Sequence, residues 1–391
     1  MATRLGPHSV RFTILLGAVA ALPPLAIDMS LPALRDIGHA LHGSASLAGL
    51  TLGVFLAGFG AMQLVLGPLS DRIGRRPVLL GGLIAFTVGG LGCTLATGLP
   101  MLIGLRLIQG GGAAAGSVTA FAIVRDLFDG PAARRKMSVV AMLISVAPII
   151  APTIGVVVLD TLGWRAIYGA LTVAGLILTL GVAVGLGESR PLGTPVRVMR
   201  SYARVLKHRR AGGLALANAL SFGCLFAYVT GSPLIFIGRM GVSDPMFAVL
   251  FATTAGGLLA GGAIASRLAH AGGSPDVPLR WAIAGQAVTA LALIAALSGP
   301  LHMAVLLPLL VANTICRGLF VPLATHAALE PMPEIAGVGS AVLGVLQMGV
   351  GALASALVAG LFPVLGPVAM GVVMAVSACA AVVVCSRAAR L

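Results

Sequence analysis

An aspartate inside a long apolar run is the first residue in this sequence that could do chemistry. Of the eleven acidic residues, ten lie in polar stretches or at the ends of apolar runs, and only Asp28 lies within one. It follows Arg11 by 17 residues, about 25 Å along a helix at 1.5 Å per residue. A carboxylate in an apolar surrounding is costly to ionise, so Asp28 could take up and release a proton. The alternative is that Asp28 only caps a helix end ahead of Pro32.

Two arginines lie inside other apolar runs, each on one helical face with an amide side chain. Arg106 precedes Gln109 by three residues, and Asn313 precedes Arg317 by four. An arginine in the middle of a membrane span costs at least about 2.5–3.5 kcal/mol on insertion scales. We therefore expect each arginine to face a polar cavity or a partner.

Polar and aromatic residues lie along one side of the apolar run 211–238. Asn218 and Phe222 lie on one face of it, with Phe226 and Tyr228 nearby. Together with the amides and arginines of the other runs, these side chains would line a cavity for an uncharged or mixed polar-aromatic solute. The alternative for each aromatic ring is ordinary packing between helices.

The elements that position these residues are predicted to be membrane-spanning helices. The 391 residues are 58% hydrophobic and 9% charged, with a mean hydropathy of +1.06, whereas soluble domains carry about 25% charged residues. Twelve apolar runs are each long enough to cross a hydrocarbon core of about 30 Å, which predicts an all-α membrane protein with twelve transmembrane helices. They cover residues 12–34, 45–69, 78–97, 100–127, 136–160, 164–187, 211–238, 244–269, 279–297, 301–327, 336–360 and 367–388.

A basic stretch at residues 188–210 divides the runs into two six-helix halves, 1–187 and 211–391. Apolar residues recur in this stretch at near-helical spacing, opposite four basic residues. This pattern predicts an amphipathic helix lying on the membrane surface. A solvated basic linker is the open alternative.

The basic residues predict the orientation. With the N-terminus inside, twenty of the 25 Lys and Arg lie in or beside cytoplasmic segments, and only Arg35, Arg165 and Arg239 lie outside. This bias indicates that both termini are cytoplasmic. It also explains the formal charge of +14 without a nucleic-acid partner.

The segment 67–77 reverses the chain between the second and third runs. We expect Gly67 and Gly74 to allow the tight turn, and Pro68 and Pro77 to break the flanking helices.

The charged residues of the same segment predict a breakable latch on the cytoplasmic side. Asp71 can lie against the N-terminus of a neighbouring helix. Arg75 can reach another acidic helix end, for which Asp126 is the candidate. Arg72 is the other basic residue counted with this latch.

Pro148 and Pro152 lie four residues apart in the fifth run. We expect them to bend that helix and to need neighbours that satisfy the freed carbonyl groups.

The five cysteines lie within apolar runs without metal or disulfide spacing, so they are interpreted as packing residues. No nucleophile–base set, metal-ligand spacing or nucleotide loop is recognisable, so neither an enzyme nor a metal site is predicted.

Several of these segments resemble motifs of the major facilitator superfamily. Residues 67–77 match its loop between spans 2 and 3 at every motif position, and residues 105–110 resemble its span 4 motif, with a membrane arginine. Ala147 to Gly155 resembles the span 5 motif of drug/proton antiporters, with departures at Ala151 and Val156. With residues 26–32 and 124–128, the chain is most similar to the Bcr/CflA branch of bacterial drug efflux.

The resemblance implies two pseudo-symmetric halves that export chloramphenicol- or bicyclomycin-type antibiotics across the bacterial inner membrane by alternating access. Asp28 would carry the proton and contact the substrate, and Arg106 would assist proton release or substrate contact. The proton gradient would supply the energy without a cofactor, and we expect a monomer in the lipid bilayer.

The loop of the second half that corresponds to residues 67–77 is 261–267. It lacks the aspartate and most of the arginines, so a second latch is not expected.

Two other functions stay open. The chain could export a metabolite, such as a sugar or amino-acid derivative, by the same mechanism. It could also be a transporter-like sensor that binds its ligand without translocating it.

Overall fold

A computed structural model describes residues 5–189, 204–205, 207–271, 275–331 and 336–388. Within these ranges the chain forms thirteen helices and no strand. Two compact units are formed, one by residues 1–43 and 54–196 and the other by residues 44–53 and 197–391. The predicted linker helix falls mainly on residues outside the described ranges, and so stays a prediction.

The first seven helices belong to the first unit, apart from the start of α3, which groups with the second. They are α1 (Val10–Asp28), α2 (Leu34–Ala40), α3 (Ala45–Ile73), α4 (Arg75–Thr94), α5 (Leu99–Leu127), α6 (Gly130–Leu162) and α7 (Trp164–Gly185). In this unit α4 packs against α5 and α7, and α1 packs against α5 and α6.

The other six helices form the second unit. They are α8 (Arg209–Phe236), α9 (Asp244–His270), α10 (Asp276–Leu297), α11 (Met303–Leu329), α12 (Ala336–Leu365) and α13 (Val368–Ala388). Here α8 packs against α12 and α13, while α11 packs against α9 and α10.

The twelve predicted spans are confirmed. Apart from the seven-residue α2, every described helix has the length and hydropathy of a membrane span. The boundaries agree within a few residues, except that α1 ends at Asp28, whereas the first apolar run continues to residue 34. The additional apolar residues belong to a turn and to the start of α2, so Asp28 lies at the end of its helix.

The turn between α3 and α4 is tighter than predicted. Pro68 does not break the helix: it lies inside α3, which continues through Gly67 to Ile73. The chain reverses at Gly74, whose φ of 110° is accessible to glycine but strained for other residues. Pro77 lies in the first turn of α4, where a helix needs no backbone donor.

Candidate functional site

Asp28 is the last residue of α1, and its side chain is almost completely buried, with 5% exposed. Among the described residues, its carboxyl group has no ion-pair or hydrogen-bond partner. It therefore does not cap a helix end through its side chain. The partial negative charge at the C-terminal end of a helix also disfavours a carboxylate there. Asp28 thus needs either a nearby cation when it is ionised or a bound proton that neutralises it, as a coupling residue would.

The backbone beside Asp28 is held by the fifth span. A β-carbon added at Gly155 of α6 would overlap the carbonyl oxygen of Met29, the residue after Asp28. Pro152 and Pro148 lie inside α6, about one and two turns before this contact. The predicted span 5 motif thus ends in a glycine that lets α6 approach the end of α1.

Arg106 lies in α5 and is completely buried. Its Nη1 donates to Oε1 of Gln109 at 2.8 Å. Its guanidinium carbon lies 4.5 Å from the ring centroid of Phe55 and 5.6 Å from that of Tyr168. Such cation–π contacts lower the cost of a buried charge.

Several polar atoms around this guanidinium lack partners among the described residues. They are Nε and Nη2 of Arg106, Nε2 of Gln109 and the hydroxyl of Tyr168. No carboxylate in the described ranges forms an ion pair with Arg106. Because open buried donors are costly, this arrangement is suited to accept a hydrogen-bond acceptor or an anion.

Counted along their helices, Asp28 and Arg106 lie on the same side of the contact between α1 and α5. Their helices approach closely at Gly116, where an added β-carbon would lie 2.7 Å from the carbonyl oxygen of Val19. As the first and fourth spans, α1 and α5 cross a membrane in opposite directions. Asp28 is nine residues after Val19 and Arg106 ten before Gly116, which is about 14 and 15 Å toward the same end.

The second unit holds its own buried arginine in a polar cluster. Arg317 of α11 donates through Nη1 to the hydroxyl of Ser221 at 3.0 Å, and that hydroxyl donates to Oε1 of Gln286 at 2.7 Å. Asn313 donates to the backbone carbonyl of Gln286 at 3.0 Å and to the hydroxyl of Thr289 at 2.9 Å. The shared face of Asn313 and Arg317 is thus connected to α8 and α10. We call these five residues the Arg317 cluster.

The aromatic and polar stripe of α8 divides between different neighbours. The ring centroid of Phe222 lies 5.1 Å from the guanidinium carbon of Arg317 and 4.6 Å from the ring centroid of Phe226. Tyr228 instead shares a hydrogen bond of 2.7 Å with Thr254. Asn218 is separate from both groups, because its side chain bonds those of Thr325 and Gln347. Phe222 therefore contacts the Arg317 cluster and Phe226 lies against Phe222. Tyr228 and Asn218 form hydrogen bonds to residues outside the cluster.

The predicted contact between Arg75 and Asp126 is present. Nε of Arg75 donates to Asp126 at 2.9 Å, and its Nη1 donates to Asp71 and to the hydroxyl of Ser70 at 2.7 Å. Asp71 thus pairs with Arg75 inside the first unit. Arg72 lies in the last turn of α3, one residue beyond Asp71.

Glu188 completes this charged group, although its sequence position did not predict this role. Its carboxylate accepts from the backbone amides of Arg75 and Arg76 at 2.8 and 3.2 Å, and so caps the N-terminus of α4. Nη2 of Arg76 donates to the carbonyl of Ala183 in α7 at 2.8 Å. Gly74 has no side chain with which to cap α4, and this feature of the sequence could have indicated that another residue caps the helix.

Comparison with known proteins agrees with this architecture. A model of the Major Facilitator Superfamily matches residues 16–356. The chain belongs to the Major Facilitator Superfamily. It is therefore a multi-pass membrane transporter and not an enzyme.

Relatives within the superfamily include several resistance proteins. The chain is 34% identical to an uncharacterised transporter, YdgK of Bacillus subtilis, over 90% of this chain and 89% of that one. It is 29% identical to multidrug resistance protein D of Escherichia coli, covering 94% and 93% of the two chains. It is also 29% identical to a bicyclomycin resistance protein homologue of Haemophilus influenzae, covering 90% and 89%.

Solved structures agree in fold. A bacterial homologue of the human lysosomal transporter Spinster superposes with a TM-score of 0.73 at 18% identity, covering 98% of this chain and 96% of that one. A D-xylose–proton symporter gives a TM-score of 0.72 at 16% identity, covering 95% and 97%. At these identities the likeness concerns the fold alone.

Proposed function

We propose that this facilitator-superfamily chain is a proton-coupled exporter of small drug-like molecules that works by alternating access in the bacterial inner membrane. Both termini would be cytoplasmic, as the distribution of basic residues predicts. The proton gradient would supply the energy, without a cofactor or a nucleic-acid partner. The transporter would work as a monomer in the lipid bilayer.

The observation that carries this proposal is the environment of Asp28. It is a buried carboxyl group with no partner among the described residues. By residue count it lies on the same side of the α1–α5 contact as the buried cation of Arg106. An intramembrane ionisable group is a functional-site hypothesis by default. Asp28 would bind a proton when the site is free of substrate and release it as substrate enters. The neighbouring Arg106 would favour that release.

The cargo class rests on the names of the relatives. The chain is similar to a multidrug resistance protein, to a bicyclomycin resistance protein homologue and to a chloramphenicol resistance protein of Pseudomonas aeruginosa. Gln109, Phe222 and Phe226 would contact such a solute, as would Asn313 and Arg317. Asn218 and Tyr228 would shape the helices behind it, because their side chains are bonded to other neighbours.

The charged group around Arg75 would act as the conformational latch. Three acidic side chains, Asp71, Asp126 and Glu188, hold Arg75 by its side chain or its amide. These bonds join the α3–α4 turn to the end of α5 and the segment after α7. Breaking some of them would release one side of the first unit during transport.

The test is uptake of labelled chloramphenicol into inverted membrane vesicles energised with ATP. Native protein should accumulate the drug above its external concentration, and a protonophore should abolish this accumulation. Asp28→Asn should abolish it as well. Asp36→Asn is the matched control, because Asp36 is an exposed carboxylate only eight residues away, in α2.

The other functions predict different results. A metabolite exporter would show no drug accumulation, but an Asp28-dependent proton release when its sugar or amino-acid derivative is added. A sensor would bind ligand without accumulating any solute. Uphill chloramphenicol transport that survives Asp28→Asn would remove Asp28 from the mechanism.

A further inference from the structure

Two glycines determine how the second and fourth spans cross in the first unit. A β-carbon added at Gly58 of α3 would overlap the carbonyl oxygen of Leu107. One added at Gly110 of α5 would overlap the carbonyl oxygen of Phe55. Each helix therefore places a glycine against the backbone of the other, which brings their axes close together.

The same reciprocal contact recurs in the second unit. A β-carbon at Gly261 of α9 would overlap the carbonyl oxygen of Ile315, and one at Gly318 of α11 that of Leu258. The α9 residues follow their α3 counterparts by 203 positions, and the α11 residues follow their α5 counterparts by 208. Because each offset is the same for both residues of a helix pair, this crossing aligns α3 with α9 and α5 with α11 residue by residue.

This alignment shows that the two buried arginines are not equivalent. Arg106 corresponds to Thr314, and Arg317 corresponds to Gln109. The second unit thus has a charge where the first has a neutral amide on the same scaffold. The helix crossing itself does not require a charge at this position, because the first unit forms it with glutamine there. The crossing therefore does not explain why α11 carries an arginine.

Arg317 also has no counter-ion among the described residues. Its side chain is buried, its Nε has no hydrogen-bond partner, and no carboxylate in the described ranges forms an ion pair with it. The described acidic residues of this unit, Asp244, Asp276 and Glu330, lie at helix ends. A buried charge without a partner is costly and marks a site that an anion can complete.

The rings beside Arg317 indicate the shape of that anion. Phe222 lies against the guanidinium and is only half-buried, and its neighbour Phe226 adds a second ring. Guanidinium Nε and Nη2 form a fork that matches the two oxygens of a carboxylate. Aromatic faces next to such a fork favour a flat apolar body attached to the carboxylate.

We propose that Arg317, Phe222 and Phe226 form a binding site for an aromatic carboxylate, which Arg317 holds by its two oxygens. This inference deepens the proposed function and rests on it for the direction of transport. It differs from the sequence-based expectation of an uncharged or mixed polar-aromatic solute, because no carboxylate in the described part of this unit forms an ion pair with Arg317.

The experiment measures the melting temperature of the purified protein in detergent, with benzoate as the probe. Benzoate replaces chloride at constant sodium concentration, so the shift reports binding beyond that of a simple anion. Benzamide, which has the same ring without the charge, is the matched neutral ligand. A ligand that binds only the folded protein raises the melting temperature, and the shift grows with the ratio of the ligand concentration to Kd.

Native protein should be stabilised by benzoate and much less by benzamide. Arg317→Gln, which installs the residue that the first unit has at this position, should weaken benzoate binding by about tenfold or more. Arg317→Lys keeps the charge but loses the fork, so an intermediate affinity is expected. Arg267→Gln, at an exposed arginine of the same unit, should bind benzoate as the native protein does.

A native protein that benzoate does not stabilise relative to chloride would overturn the inference, whatever the variants do. Equal shifts by benzoate and benzamide, or an unchanged shift in Arg317→Gln, would overturn it too. The assay needs neither a gradient nor an antibiotic. Failed benzoate binding with intact Asp28-dependent drug uptake rejects this site alone, whereas intact benzoate binding without drug uptake rejects the proposed function.

Discussion

Gly155 lies so close to Met29 that a single added carbon would overlap the carbonyl oxygen of Met29. Because Met29 follows Asp28, this contact between α6 and α1 determines where the buried carboxyl group lies. The span 5 motif and the candidate proton site are thus in physical contact.

Gly155→Ala should displace the end of α1 and impair drug uptake. Overpacking of this kind costs about 1–3 kcal/mol, so the melting temperature should also fall. The matched control is Gly104→Ala, since a β-carbon there meets no atom within 4 Å. The control should be neutral or slightly stabilising, because alanine favours helix more than glycine does. Equal behaviour of the two variants in melting and uptake would contradict the proposed contact.

Arg106→Gln should lower proton-driven chloramphenicol uptake by at least about tenfold while the protein stays folded. The reason is that the amide keeps some of the polar contacts but removes the charge on the same side of the α1–α5 contact as Asp28. Arg106→Lys retains a charge and should keep part of the activity. Vesicle uptake measures this effect, with Arg267→Gln as the exposed control. Full uptake by Arg106→Gln would exclude a role for the charge.

Arg75→Gln should destabilise the first unit by about 1–3 kcal/mol, because the largely buried carboxylate of Asp126 loses its cation. Asp71, whose side chain is 37% exposed, should add little to this cost. The side chains of Arg75 and Asp126 are only 14% and 12% exposed. Arg210→Gln breaks a pair with Asp276 that is 35% and 48% exposed, so it should cost at most about 1 kcal/mol.

A double-mutant cycle between Arg75→Gln and Asp126→Asn should show clear coupling in the melting temperature. The second substitution should cost much less once the first is present. Strictly additive effects would mean that the contact contributes nothing to stability.

Glu188→Ala should loosen the first turn of α4 and cost about 0.5–2 kcal/mol, as the loss of a helix N-cap does. Glu188→Gln keeps an acceptor oxygen and should cost less. Hydrogen exchange followed by mass spectrometry should show faster exchange in the peptide that contains Arg75 and Arg76. Unchanged exchange in the alanine variant would show that another group caps α4.

Much of the fold was predictable because a membrane imposes a length and a hydropathy on every span. Twelve apolar runs therefore gave twelve helices with nearly correct ends. Pro68 was misjudged because a proline is tolerated inside a membrane helix when neighbours satisfy the freed carbonyl. The end of α1 at Asp28 was not predicted, since apolar residues continue beyond it into a turn.

The candidate site was predictable only along single helices. The shared faces of Arg106 with Gln109 and of Asn313 with Arg317 follow from helical spacing. The contacts of Glu188 with Arg75 and of Arg317 with Ser221 join residues 113 and 96 positions apart. No local pattern encodes such distances. Arg75 and Asp126 were the exception, because both lie at helix ends on the same predicted side.

The most direct test of the central claim is proton movement during transport. In proteoliposomes with an imposed pH gradient and a pH-sensitive dye, chloramphenicol should accelerate the collapse of the gradient by native protein. Asp28→Asn should show no drug-induced proton flux, yet should still exchange labelled for unlabelled chloramphenicol across the membrane. A drug-induced proton flux in Asp28→Asn equal to that of native protein would contradict the account.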